Sequence, residues 1–260
     1  MLRFSFLSGA LFFLAAGAAQ AAPVDFNDLQ LNGTASLNAA QDTLTLTESA
    51  DYQNGSAFLS SPVAITETTA ISSAFELNFS SPRGGGADGI VFVVQSAPAG
   101  ASALGFNGGG IGYEGITDSV AVEFDTWQNT QFSDPNGNHV GINLNGSVTS
   151  IATGTPGFTI ETTDSLFAWV EYDGTTLDVF ASTNDVKPGA SLVSANLDLF
   201  DIVGPEAFVG FTASTGGASN LHQVRSFDLH VAPIPLPASL PLALLGVGAL
   251  GLLRGSQRRA

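Results

Sequence analysis

Glu123, Asp125, Asn129, Asp134 and His139 fall within one short stretch, residues 120–145, reading VAVEFDTWQNTQFSDPNGNHVGINLN. These are oxygen and imidazole donors, the side chains that hold divalent cations. Val120, Val122 and Phe124 alternate with Ala121, Glu123 and Asp125, the period of a strand with one core face, so the two carboxylates point the same way. His139, Gly141 and Asn143 alternate with Val140, Ile142 and Leu144 in a second strand pattern, after a turn-rich loop carrying Asp134-Pro135-Asn136-Gly137. Neighbouring strands joined by that loop bring Glu123, Asp125, Asp134 and His139 together. Carboxylates that close repel one another unless a cation sits between them, and bound metal is the simplest account of the cluster.

The donors divide by hardness. Glu123, Asp125, Asp134 and His139 form a mixed set suited to a manganese-like ion, Mn2+ or another transition ion. Asp125, Asn129, Asp134 and the backbone carbonyl of Trp127 form an all-oxygen set suited to Ca2+. Asp125 and Asp134 belong to both. The competing reading is an acidic strand facing solvent, with a surface His and a packed Trp; such a face needs neither the Asn nor the second Asp at these offsets.

The run resembles the metal-binding segment of legume (L-type) lectins, matching E-x-D-x-[aromatic]-x-N-x4-D-x4-H throughout. The resemblance implies that Trp127 and Asn129 also face a sugar, the first by stacking. It extends over nearly the whole domain, through residues 26–32, 55–63, 75–79, 169–174 and 209–216.

The elements that must position these residues read as β throughout. Alternating or apolar runs at 43–47, 57–59, 71–79, 90–94, 166–172, 176–182, 208–212 and 226–231 are separated by Gly, Asn, Asp, Ser and Pro clusters. No span before the C-terminal tail carries a helical period. The pattern predicts an all-β fold, a sandwich of two large antiparallel sheets, and the resemblance implies the concanavalin-like jelly roll.

Gly84-Gly85-Gly86-Ala87-Asp88-Gly89 leads into the apolar run 90–94. A glycine-rich turn admits backbone shapes other residues resist and can hold an Asp with its carboxylate facing outward, although an ordinary Asx turn has the same signature. The resemblance implies a cis peptide before Asp88 and a carboxylate that accepts from two sugar hydroxyls. It also implies a backbone donor at Gly109, within Gly108-Gly109-Gly110, where a plain flexible turn is the other reading. The loop 215–220, with Ala218, corresponds to the segment that sets sugar preference. A carboxylate, an amide, backbone donors and an aromatic face match the paired hydroxyls and apolar C–H face of a saccharide. His222 and His230 lie outside these motifs and read as surface residues; Trp169 reads as core.

Two carboxylates at i and i+2 on a sandwich strand also describe some retaining glycosidases. Laminarinase-like enzymes carry a third carboxylate there, where this chain has Trp127 and Gln128. The reading is therefore a non-catalytic carbohydrate-binding protein. The alternatives are a laminarinase-like hydrolase and a matrix or adhesion protein whose sugar site has decayed; Asp88, Trp127 and Asn129, all present, argue against the last.

The ends carry sorting signals. Residues 1–21, with Arg3, an apolar run and Ala19-Gln20-Ala21, have the form of a secretory signal peptide. Residues 22–232 then form the domain. Residues 233–260 combine Pro233-Ile234-Pro235-Leu236-Pro237-Ala238, an apolar run at 240–253 shorter than the ~20 residues of a free-standing membrane helix, and Arg254, Arg258 and Arg259. They resemble the VPLPA or PEP-CTERM sorting tails of Gram-negative bacteria, which implies transient insertion in the inner membrane, then export or surface attachment; a retained membrane anchor is the other reading. Four of the seven basic residues lie in these end segments and none of the 23 acidic ones does, leaving three basic groups and a net charge of −20. Such a surface repels phosphate backbones and excludes nucleic acid as a partner. Glycans or an exopolysaccharide are the expected partners, and self-association into a homo-oligomer is left open. No cysteine occurs, so bound metal is the candidate staple.

Overall fold

A computed structural model describes residues 22–161 and 164–234. The expected signal peptide, residues 1–21, and nearly all of the expected sorting tail lie outside the described residues. Two eight-stranded antiparallel sheets face each other, as the alternation predicts. The back sheet runs Val193–Asn196, Thr176–Ser182, Leu166–Tyr172, Thr69–Arg83, Ser219–Pro233, Leu44–Thr47, Ser36–Leu37, with Ala22–Pro23 against Ser219–Pro233. The front sheet runs Ala152–Gly154, His139–Leu144, Ser119–Asp125, Gly89–Gln95, Glu206–Ser214, Asn54–Leu59, Leu29–Gly33, with Val63–Ala64 against Glu206–Ser214.

The inward faces meet in a phenylalanine-rich core. Phe75 of the back sheet stacks on Phe92 of the front sheet at 5.3 Å between ring centroids, and Phe211 meets Phe227 edge-on at 5.0 Å. Pairs of this kind add about 0.5–1.5 kcal/mol each beyond area burial, and they key the two sheets together.

The back and front sheets differ on their outer faces. Leu166–Tyr172 alternates buried and half-buried residues, the pattern of a sheet covered on one side only. Gly89–Gln95 and Ser119–Asp125 are buried at every position. Val91, Val93 and Ala121 on the outer front face, with Phe58, pack under Ala103, Ile111, Tyr113 and Ile116 from the connection between those two strands. Tyr113 pins this cover: its hydroxyl bonds Ser119 Oγ at 2.8 Å and accepts from the Gly146 N–H at 3.0 Å. Burial pushes the Tyr113 phenol up to about 12. Glu123 and Asp125, on the same outer front face, are also buried, which alternation alone does not reveal.

Two expectations, on His222 and Trp169, are corrected, and one short element is added. Leu199–Val203 forms a short α-helix, N-capped by Asp198 accepting from the Asp201 N–H at 3.0 Å. Five residues are too few to show a helical period, and the cap was its only local signal. His222 is fully buried, with Nδ1 2.7 Å from Thr47 Oγ1 and its ring edge-on to Phe79. A register shift between Val224 and Ser226 in Ser219–Pro233 puts His222 on the inward face with Val224, out of step with the alternation at 226–231. Trp169 lies half-buried on the outer back face instead of in the core, because it takes the outward positions of the alternation with Phe167 and Glu171.

Candidate functional site

The predicted hairpin forms. His139 pairs with Asp125 and Gly141 with Glu123 across the ladder, so the carboxylates and the imidazole share one face. Glu123, Asp125 and His139 are each at most 2% exposed. Glu123 accepts from Asn143 Nδ2 and, at 2.6 Å, from Ser150 Oγ. The absent side chain of Gly141 makes room for this, since a Cβ there would meet both Ser150 Oγ and Glu123 Oε1. Asp125 turns one oxygen to the Trp127 N–H at 2.8 Å, and Asp134 accepts from the Asn129 N–H at 2.6 Å.

Electrostatics follow from this burial. Asp125 is held well above the usual carboxylate range by burial first, then by the charges of Glu123 and Asp134, with the Trp127 amide opposing. Burial also raises Asp134, against the Asn129 amide. Burial alone would lower His139, but its hydrogen bond to Glu123 and the charge of that carboxylate outweigh burial and raise it.

The ring orientation tests the expected cation. His139 Nδ1 lies 2.9 Å from the Asn136 carbonyl, which can only accept, so the Nδ1 proton is fixed there. In the neutral ring Nε2 is then a lone pair, 3.2 Å from Glu123 Oε1. Two acceptors at that distance require a proton or a metal between them. The neighbouring Asn129 Oδ1 is buried without a hydrogen-bond partner. The donor set thus fits a cation. No group of three or more His, Asp and Glu side chains among the described residues closes into a ready-made cage, in keeping with Asp134 being turned to the Asn129 amide.

The second half of the site is built by four loops. The Ala87–Asp88 peptide is cis, as the resemblance implied. The Asp88 carbonyl accepts from the Thr126 N–H at 3.0 Å and its N–H donates to the Ser214 carbonyl at 3.0 Å, tying this loop to the Glu123–His139 hairpin and to the last strand before the 215–218 turn. Contrary to the outward-facing expectation, Asp88 is only 3% exposed and its Oδ2 has no hydrogen-bond partner. Burial pushes its carboxyl up to about 7, with the Gly216 backbone opposing.

Gly109 stands directly against Asn129, where a Cβ would lie 2.6 Å from the amide nitrogen. A Cβ at Gly85 would be 3.4 Å from the Trp127 ring, and one at Gly84 would be 3.3 Å from Ala218. Trp127 is 40% exposed. The structure therefore brings Asp88, Gly109, Trp127 and Asn129 to one mouth, with Ala218 at its edge against Gly84. Gly216, from the loop 215–220 that the sequence pointed to, lies beside Asp88 Oδ2. Glu161, for which local sequence carries no signal, lies against Gly86.

The comparisons with known proteins agree with this fold. Residues 22–239 match the model of the legume lectin domain, and the chain belongs to that family. Among curated relatives, it is 37% identical over 145 residues to the L-type lectin-domain containing receptor kinase VIII.1 of Arabidopsis thaliana, an alignment covering 53% of this chain and 20% of the relative. It is 30% identical over 234 residues to receptor kinase IV.3 of the same plant, covering 78% of this chain and 34% of the relative. The chain thus spans only a fifth to a third of the length of these relatives. Among solved structures, the metal-free form of lectin I-B4 from Griffonia simplicifolia superposes with a TM-score of 0.67 at 27% identity, covering 79% of this chain and 94% of that one. Winged bean acidic lectin complexed with methyl-α-D-galactose gives 0.68 at 26% identity, covering 82% and 98%.

Proposed function

We propose that this protein is a non-catalytic lectin that binds carbohydrate at the mouth formed by Asp88, Gly109, Trp127 and Asn129. One observation carries the reading: Asp88 Oδ2, a buried acceptor oxygen with no hydrogen-bond partner, lies at the same mouth as an exposed indole. Sugar hydroxyls supply donors and the sugar C–H face matches the ring. That the winged bean relative is complexed with a galactoside supports the same use here.

Glu123, Asp125, Asp134 and His139 would hold a transition ion such as Mn2+, and Asp125, Asn129, Asp134 and the Trp127 carbonyl would hold Ca2+. When bound, the ions supply positive charge that offsets the buried carboxylates. Asn129 then links the two halves, reaching the metal loop on one side and Gly109 on the other. A hydrolase is disfavoured by the surroundings of Glu123, whose oxygens are occupied by Asn143, Ser150 and His139 and which is 1% exposed.

Export by residues 1–21, and membrane passage and surface attachment through 233–260, complete the proposal and rest on the sequence of those segments. The bacterial origin rests on that tail alone. Among the described residues no helix is long and apolar enough to cross a membrane. A glycan array probed with and without chelator tests the function: hits that need Ca2+ and Mn2+ are expected, and an array without hits in both ions overturns it.

A further inference from the structure

Three of the five large hydrophobic side chains exposed among the described residues, Tyr52 (71%), Phe106 (68%) and Trp127 (40%), belong to segments that touch the proposed sugar mouth. Trp127 stands against Gly85. Tyr52 donates its N–H to the Gly216 carbonyl at 3.0 Å, and Gly216 is the residue beside Asp88 Oδ2. The next residue, Gln53, is laced to Thr215 by a bond from its N–H to Thr215 Oγ1 at 2.8 Å and one from the Thr215 N–H to its carbonyl at 3.0 Å. Phe106 is held by its N–H to the Glu114 carbonyl at 3.0 Å and by the Gly112 N–H to its own carbonyl at 2.8 Å. Two residues on, the Gly108 carbonyl accepts from Ser214 Oγ at 2.8 Å, and Gly109 meets Asn129. Asn54 Nδ2 joins the Tyr52 and Phe106 segments through the Gly105 carbonyl at 2.8 Å.

We propose that Tyr52 and Phe106 are flanking subsites, and that the ligand is an extended neutral glycan chain instead of a single terminal sugar. The proposal rests on the lectin reading and deepens it. An exposed aromatic ring on a hydrogen-bonded backbone needs little ordering on binding, and its face suits the apolar face of a pyranose. A single ring serves one sugar, whereas rings on segments that meet around the mouth serve its neighbours along a chain. Neutrality follows from the surrounding charge. Glu114, Asp51 and Glu161 lie on the same segments as Phe106, Tyr52 and the Gly86 contact, and Arg83, the cation nearby, is 3.8 Å from Asp51. A polyuronate would be repelled.

The test measures affinity, in Ca2+ and Mn2+, for ladders of mannose, glucose and galactose homo-oligomers one to six residues long, with oligogalacturonate as the charged control. For the ladder whose monomer binds, affinity should rise about tenfold or more by the tetramer, the scale of one or two added aromatic stacks. Tyr52→Asn, an exchange tolerated at its positive φ of 56°, combined with Phe106→Ser should remove that rise and leave monomer affinity within about twofold. Phe106→Tyr, keeping an aromatic face, should retain its share of the rise. A flat ladder in the unaltered protein, a rise that survives the double substitution, or preferential binding of oligogalacturonate overturns the proposal. Failure of every monomer and oligomer to bind overturns the lectin reading itself.

Discussion

His139 Nε2 lies 3.2 Å from Glu123 Oε1 while the Nδ1 of the same ring is bound to the Asn136 carbonyl. Glu123 favours positive charge on that side of the ring, a proton on Nε2 or a metal ion between the two atoms. Asp125 and Asp134, both raised by burial, complete an environment that favours a positive ion over empty space.

Metal should therefore stabilise the fold. At free ion about a hundredfold above the dissociation constant, binding adds about 2.7 kcal/mol, or roughly 5–10 °C in melting temperature for a domain of this size. Differential scanning calorimetry in EDTA, then in Ca2+ with Mn2+, measures this. An unchanged melting temperature is incompatible with the ion sites.

Gly109→Ala isolates the contact between the glycine loop and Asn129. The new Cβ would fall 2.6 Å from the Asn129 side-chain amide, which can move, so the fold should survive while Asn129 is displaced. Sugar affinity should drop about tenfold or more, with stability changing by less than about 1 kcal/mol. Calorimetric titration beside a denaturant melt separates the two effects.

Asp88→Asn keeps the shape and exchanges an acceptor oxygen for a donor. A hydrogen bond to a charged group is worth about 1.5–3 kcal/mol, so affinity should fall roughly tenfold to a hundredfold. In the unaltered protein, affinity should also fall on acidification, because the carboxyl, raised toward about 7 by burial, gains a proton that removes its acceptor. The Asn variant should lose that pH dependence, as read by binding isotherms across pH.

His222 governs acid stability separately. Burial pushes its pKa from 6.5 down to about 3, with Nε2 unpartnered. The folded state thus binds fewer protons than the unfolded one between these values. Its contribution is fully present above about 6.5 and is lost as pH falls toward 3, with a slope approaching about 1.4 kcal/mol per pH unit. The raised carboxylates Asp88, Asp125 and Asp134 act in the opposite sense over part of this window, so the comparison should be with His222→Asn, which shares them. Urea melts at pH 7 and pH 5 should show the variant losing less stability than the parent.

Features confined to one strand or one hairpin are legible in the order of residues. Alternation gave the strands Leu166–Tyr172, Thr176–Ser182 and His139–Leu144, and the turn-rich loop between two alternating runs set Glu123, Asp125, Asp134 and His139 near one another. That information is local, because side-chain direction repeats every two residues and a short loop leaves the returning strand few registers. The tertiary structure alone decided what separate segments make together. The burial of Val91, Val93 and Ala121 on the outer front face depends on the 97–116 cover, the inward turn of His222 on the register shift between Val224 and Ser226, and the mouth of the site on loops near 52, 88, 109 and 216 meeting Asn129. Nothing periodic records those meetings, since they follow from which strands pair across the sheet and how far each loop can reach once they have.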